Sequence, residues 1–193
     1  MPAEELAAAF FHARDDAARR DAALELATWC HDHEAPLSYF GQLTTEGDWV
    51  ASAYSYTPAS DRAERYRLAR RAAAWCCSNG ASIRFRETWL DEGAWLAMAY
   101  RTCDDSASAR GLALRLADLC LGGHTSYLVD GSWLNAGDWL ARAYARAQGD
   151  DAARIAGRVA AWCRENDCSV QFEGAWHDAA WWEHASNGGV AAR

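Results

Sequence analysis

Basic charge is scarce in this chain of 193 residues, where 19 lysine and arginine side chains face 27 acidic ones for a net charge of −8. Nucleic acid and anionic membranes are held by basic patches, so neither is an expected partner. An acidic surface suits solubility or a basic partner. No stretch approaches the roughly 18 consecutive apolar residues that a membrane-spanning helix needs, so no such span is expected. The opening Met-Pro-Ala-Glu-Glu-Leu-Ala has neither a basic n-region nor an apolar h-region, and no secretory signal is expected. Catalytic signatures are missing too. There is no Gly-x-Ser-x-Gly nucleophile elbow, no phosphate-binding loop and no dinucleotide fingerprint. The seven cysteines are an odd number, and four of them share one repeat position, which suits a reduced, cytoplasmic compartment better than a disulfide framework.

What the chain does have is a pattern repeated four times, with cysteines at 30, 76, 120 and 163 as its origin. Thirteen residues after each come Leu43, Trp89, Trp133 and Trp176; nineteen after come Trp49, Trp95, Trp139 and Trp182. Twenty-four after come Tyr54, Tyr100 and Tyr144, while the fourth copy has Asn187. A period of about 40–47 residues with two helices per unit marks a stacked helical repeat. The expected fold is therefore mainly α, an α-solenoid-like single domain over residues 1–185. It would comprise units at about 17–57, 58–104, 105–149 and 150–185, behind an N-terminal capping helix at 3–14. Residues 186–193 read as a disordered tail. The cap looks like half a repeat, since Leu6-Ala-Ala-Ala-Phe10 matches Leu140-Ala-Arg-Ala-Tyr144, and both precede Asp-Asp-Ala-Ala-Arg.

Each unit opens with a helix over about 17–30, 61–77, 107–121 or 151–164. Counted back eight, four and three residues from the cysteine, the stripe reads Ala22, Leu26 and Ala27 in the first unit and Ile155, Val159 and Ala160 in the last. That spacing marks one helical face. The helix stops near Asn79-Gly80, Gly122-Gly123 and Asn166, residues tolerant of left-handed backbone. An extended segment follows, with alternating apolar pairs Leu37/Tyr39, Ile83/Phe85, Tyr127/Val129 and Val170/Phe172. These segments either join into a parallel ladder or stay as unpaired loops. The tryptophan at thirteen is expected to pack inward. Thr45, Asp91, Asn135 and Asp178 are the expected N-caps of the second helix.

Metal-capable side chains are densest at Cys30, His31 and His33, but a zinc site needs four converging ligands and none is assigned. No cofactor is expected. Most of the eleven tryptophans fall on repeat positions, which argues for core roles against sugar stacking. Trp181 falls beside the register and, with His177 and His184, makes a terminal patch, so Trp181 is a further candidate partner-binding residue.

Positions that vary between repeats are free to meet a partner. On the outer face of the extended segments these are Ser38 and Phe40, Arg84 and Arg86, Leu128 and Asp130, and Gln171 and Glu173. The expected function is a non-enzymatic, cytoplasmic protein-interaction module such as an adaptor, secretion chaperone or immunity-type inhibitor. It would present a repeat-built, partly acidic surface to another protein. The alternative is a small enzyme with its site in the groove between helices. The alanine, arginine and aspartate content suggests a GC-rich bacterial genome. Tetratricopeptide-type solenoids share the period but not the consensus. Alpha–alpha toroid enzymes share a helix–loop–helix unit with aromatic-rich loops, but need about six or seven hairpins around a cleft.

Overall fold

The computed structural model describes residues 2–123 and 125–189. The chain is mainly helical, at 65% helix, with small antiparallel hairpins. It divides into two compact units, residues 1–102 and 103–193. Each contains two modules of one plan, helix–hairpin–helix.

In the first unit, α1 (Ala3–His12) precedes a module of α2 (Asp16–His33), β1 (Leu37–Tyr39), β2 (Gln42–Thr44) and α3 (Glu46–Tyr56). The next module is α4 (Arg62–Asn79), β3 (Ile83–Phe85), β4 (Thr88–Leu90) and α5 (Glu92–Thr102). The second unit holds α6 (Ser106–Gly123), β5 (Tyr127–Val129), β6 (Ser132–Leu134) and α7 (Ala136–Tyr144). Then come α8 (Gly149–Asn166), β7 (Val170–Phe172), β8 (Ala175–His177) and α9 (Ala179–Ser186). Helix α9 thus runs to Ser186 and residues 187–189 form a turn and bend; residues 190–193 lie outside the described residues.

The alanine-rich stripe is buried as its period requires. In α8, Ala152, Ile155, Ala156, Val159, Ala160 and Cys163 are all buried. Small residues on this face let the helices pack closely, α2 on α3, α3 on α4 and α4 on α5, then α6 on α7, α7 on α8 and α8 on α9. Against α2 lies α1, which buries Leu6.

The chain leaves the first helix of a module through a left-handed residue, Glu34, Gly80 or Asp167. A backbone N–H five residues past each register cysteine then returns to its carbonyl at 3.1–3.3 Å. This is the 6→1 bond of a Schellman ending. The second helix starts at the N-caps. Thr45 and Asp48 form a reciprocal capping box, as do Asn135 and Asp138. Asp91 and Asp178 each accept an amide hydrogen bond from three residues on, at 2.8 and 3.0 Å.

The extended segments neither form a parallel ladder nor stay unpaired. Each turns back on itself as a hairpin with its partner strand: β1 with β2, β3 with β4, β5 with β6 and β7 with β8. Two-residue loops join the strands, Phe40-Gly41, Arg86-Glu87, Asp130-Gly131 and Glu173-Gly174. Their first residues all have positive φ, between 47° and 56°. That is the backbone a tight hairpin turn demands, because it matches the right-handed strand twist.

Modules inside a unit meet through a glycine. A Cβ placed on Gly137, in the first turn of α7, would lie 2.4 Å from the Trp162 ring of α8. At Gly47 in α3 it would lie 2.6 Å from Trp75 of α4. Gly137→Ala is therefore expected to destabilise by about 1–3 kcal/mol, since overpacking outweighs the helix-propensity gain. Gly111→Ala is the control, because its added Cβ meets nothing within 4 Å. It should be neutral or stabilise by up to about 1 kcal/mol, with urea midpoints as the readout.

Candidate functional site

Two rows of tryptophan, six residues apart in sequence, end in opposite environments. The later row is core: Trp49 is 2% exposed, and Trp95, Trp139 and Trp182 are 0% exposed. Trp95 meets Tyr54 at 5.6 Å and Phe85 at 5.3 Å, both edge-on. Trp182 meets Tyr144 at 5.2 Å and Phe172 at 5.5 Å in the same manner. In the first module Phe10 of α1 takes the place of the absent tyrosine, 5.2 Å from Trp49.

The earlier row is outside. Leu43 is 73% exposed, Trp89 67%, Trp133 70% and Trp176 69%. The expectation that this position packs inward is overturned, and the hairpin register gives the reason. Leu43 lies opposite Ser38, Trp89 opposite Arg84, Trp133 opposite Leu128 and Trp176 opposite Gln171. Directly opposed residues share a face of the pair. The residues flanking Ser38, Arg84, Leu128 and Gln171 point toward the helices, so these four and their partners face solvent. The later tryptophans are therefore core, while the earlier ones are free to form an aromatic binding face.

The eight outer-face residues expected from sequence, Ser38, Phe40, Arg84, Arg86, Leu128, Asp130, Gln171 and Glu173, are all exposed. They fall into two groups by position. Ser38, Arg84, Leu128 and Gln171 stand beside the exposed apolar row. Phe40, Arg86, Asp130 and Glu173 occupy the turn tips. In the first unit Phe40, 76% exposed, meets Phe11 of α1 at 5.5 Å, and Arg84 lies 3.8 Å from Glu87. In the second unit the tips are acidic. Trp181 is half-buried, its ring centroid 3.8 Å from that of His177 and 4.8 Å from that of Trp182, while His184 is exposed. Sequence reasoning missed Leu43, Trp89, Trp133 and Trp176 as surface residues. Asp130-Gly131 between alternating apolar residues was the available hairpin signal, and the hairpin fixes which face each residue takes.

The metal candidates have separate partners. Cys30 reaches the Thr44 carbonyl at 3.9 Å. His31 Nδ1 pairs with Glu46 at 3.0 Å, and Arg71 donates to the other oxygen of that carboxylate at 2.9 and 3.0 Å. His33 bonds the Trp29 carbonyl at 2.8 Å and stacks on the Trp29 ring at 4.2 Å. Among the described residues no three or more metal-ligating side chains converge. No helix among them is long and apolar enough to cross a membrane.

All seven cysteines are free. Burial pushes the Cys76, Cys120 and Cys163 thiols up to about 11, from an ordinary value near 9. These thiols serve the core, since the neutral form is the one burial favours. Folding holds a proton that the unfolded chain releases above pH 9, so stability is full below that value. It should fall as pH climbs from about 9 towards 11, visible as a declining melting temperature. Carboxylates moved the other way have local causes: Arg67 holds Glu64 below its usual range, and the Ser108 amide does so for Asp105.

Open clefts flank the hairpins. One of about 330 Å³ in the second unit is lined by Asp138, Arg142, Arg146, Gln171, Phe172 and Glu173. Another of about 820 Å³ in the first unit holds His31, Glu46 and Arg71. Comparison with protein-family models, curated proteins and solved structures finds no match for this chain.

Proposed function

We propose that this chain is a non-enzymatic protein-interaction module whose recognition face is the outer side of its hairpins. One observation carries the reading: the same register position is apolar and about two-thirds or more exposed in all four modules, as Leu43, Trp89, Trp133 and Trp176. Isolated exposed apolar residues need no explanation, but a leucine and three indoles exposed at the same position of every hairpin do. Tryptophan and arginine are the residues that dominate binding energy at protein interfaces. Each indole stands beside a residue that differs between modules, arginine, leucine or glutamine. A constant apolar anchor with a variable neighbour gives affinity and selectivity separate carriers. The fourfold register supports a helical-repeat, α-solenoid-like reading of the chain. Seven free thiols support a reducing, cytoplasmic setting, and the composition supports a bacterial source. Adaptors, secretion chaperones and immunity-type inhibitors all work through such faces.

The test is affinity capture with the wild-type chain and a charge-reversed variant, read by mass spectrometry. Arg84→Glu with Arg86→Glu should abolish capture of the stoichiometric partner while leaving the melting temperature near wild type. Capture that survives would mean the wrong face has been chosen. Retention of a polysaccharide in place of a protein would convert the reading to a carbohydrate module.

The enzyme alternative has one specific support, the His31–Glu46 pair opening on the larger cleft. A carboxylate that orients an imidazole is half of a general-base arrangement. A metabolite-library thermal-shift screen on wild type and His31→Gln decides it. A ligand whose stabilisation disappears in His31→Gln would favour the enzyme.

A further inference from the structure

The Schellman ending of each module's first helix brings two side chains together by construction. The residue whose N–H returns to the register cysteine's carbonyl sits five positions later, and its side chain commonly contacts that cysteine's side chain. In the first three modules that later residue is Ala35, Ala81 or Thr125. In the fourth it is Cys168, whose N–H bonds the Cys163 carbonyl at 3.1 Å. Each of the two side chains is among the groups that shift the other's thiol, so the two interact across the turn. Asp167 between them holds the left-handed conformation, φ 47°, that closes the turn. Cys163 is buried and Cys168 half-exposed.

We propose that Cys163 and Cys168 form a redox modification site, a dithiol that closes to an intramolecular disulfide on reaction with a small-molecule disulfide of the glutathione class. The half-exposed Cys168 attacks first as thiolate. It forms a bond to one sulfur of the reagent and expels the other as a thiolate. Cys163 then attacks the Cys168 sulfur, forms the protein disulfide and expels the second thiolate. The two protons lost by the cysteines end on the two released thiols. The protein is oxidised by two electrons and the reagent is reduced by two. The turn that bonds the Cys168 amide to the Cys163 carbonyl holds the two residues side by side, and the sulfurs must close to about 2.0 Å for a disulfide. Burial raises both thiols, so the thiolate fraction is small near neutrality and rises with pH. The rate should climb about tenfold per pH unit between 7 and 8. The product would pin the end of α8 to the start of β7, beneath the hairpin that carries Trp176.

The experiment uses the full folded chain in glutathione buffers of increasing oxidised fraction, with acid quench, alkylation and tryptic mass spectrometry. Trypsin cuts at Arg158 and Arg164, placing the two cysteines on separate peptides. The expected result is the peptide Val159–Arg164 joined to the peptide that begins at Glu165, lighter by two hydrogens than the sum. Cys168→Ser, at the half-exposed position, should abolish the joined species and leave Cys163 unmodified. A glutathione adduct that persists on Cys168 while Cys163 stays alkylatable would overturn the proposal. So would modification of Cys77 and Cys103 at oxidant levels where both Cys163 and Cys168 remain reduced.

Discussion

Trp95→Ala is expected to lower stability by about 3–5 kcal/mol, while Trp89→Ala, six residues earlier in the same module, changes it by no more than about 0.5 kcal/mol. The two tryptophans differ only in where the hairpin and the helix point them. Trp95 has 0% of its surface exposed, and Tyr54 and Phe85 meet its ring edge-on at 5.6 and 5.3 Å. Truncation there removes a large apolar surface and leaves a cavity that the alanine-rich helices cannot refill. Such edge-on pairs add about 0.5–1.5 kcal/mol each beyond area burial. Trp89 is 67% exposed, so little is lost when its ring goes. Urea unfolding at matched slope measures both. A cost below about 1 kcal/mol for Trp95→Ala would show that its ring is not core, and a cost above about 2 kcal/mol for Trp89→Ala would show that the outer face is part of the folded core.

Removing the exposed indoles together, as Trp89→Ala, Trp133→Ala and Trp176→Ala, is expected to weaken partner binding by 100-fold or more, at roughly 2 kcal/mol or more per central anchor. Its melting temperature should stay close to wild type, because all three side chains leave a solvent-facing strand position. That combination separates recognition from folding, which no buried-row substitution can do. Titration calorimetry with the captured partner reads the affinity, and circular dichroism reads the fold. A triple variant that binds as tightly as wild type would remove the exposed row from the recognition face, and attention would move to the turn-tip residues Phe40, Arg86, Asp130 and Glu173. Solubility gives an independent check. Apolar rows on hairpins invite non-specific association, so the triple variant should be the less aggregation-prone chain.

Helices were the legible part of the sequence. The stripe of Ala22, Leu26, Ala27 and Cys30 recurs in every module at spacing that only a helix brings to one face, and the structure buries it. Caps were legible for a similar reason, since Thr45, Asp91, Asn135 and Asp178 act within three residues of themselves. Hairpins were half legible. Leu37 and Ile83 stand out in the sequence as inward strand positions, but the returning strands β2, β4, β6 and β8 do not stand out as strands. At three residues each they are too short for a period to show. The tips hid the turns further, since Phe40, Arg86 and Glu173 are not the residues usually found at positive φ.

By itself the sequence determined the helical class, the helix ends and the burial of the later tryptophans, because those depend on neighbours a few residues away, and its four-copy register can be read directly from the spacing of Cys30, Cys76, Cys120 and Cys163. Only the tertiary structure decided that the earlier tryptophans face out, that modules within a unit meet at Gly47 and Gly137, and that the turn after α8 sets Cys168 beside Cys163. Repetition shows that a position matters to every module, yet it is silent on whether the position serves the core or the surface. A strand carries one residue inward and the next outward, so a single step of register, set by a turn of two residues, makes that choice.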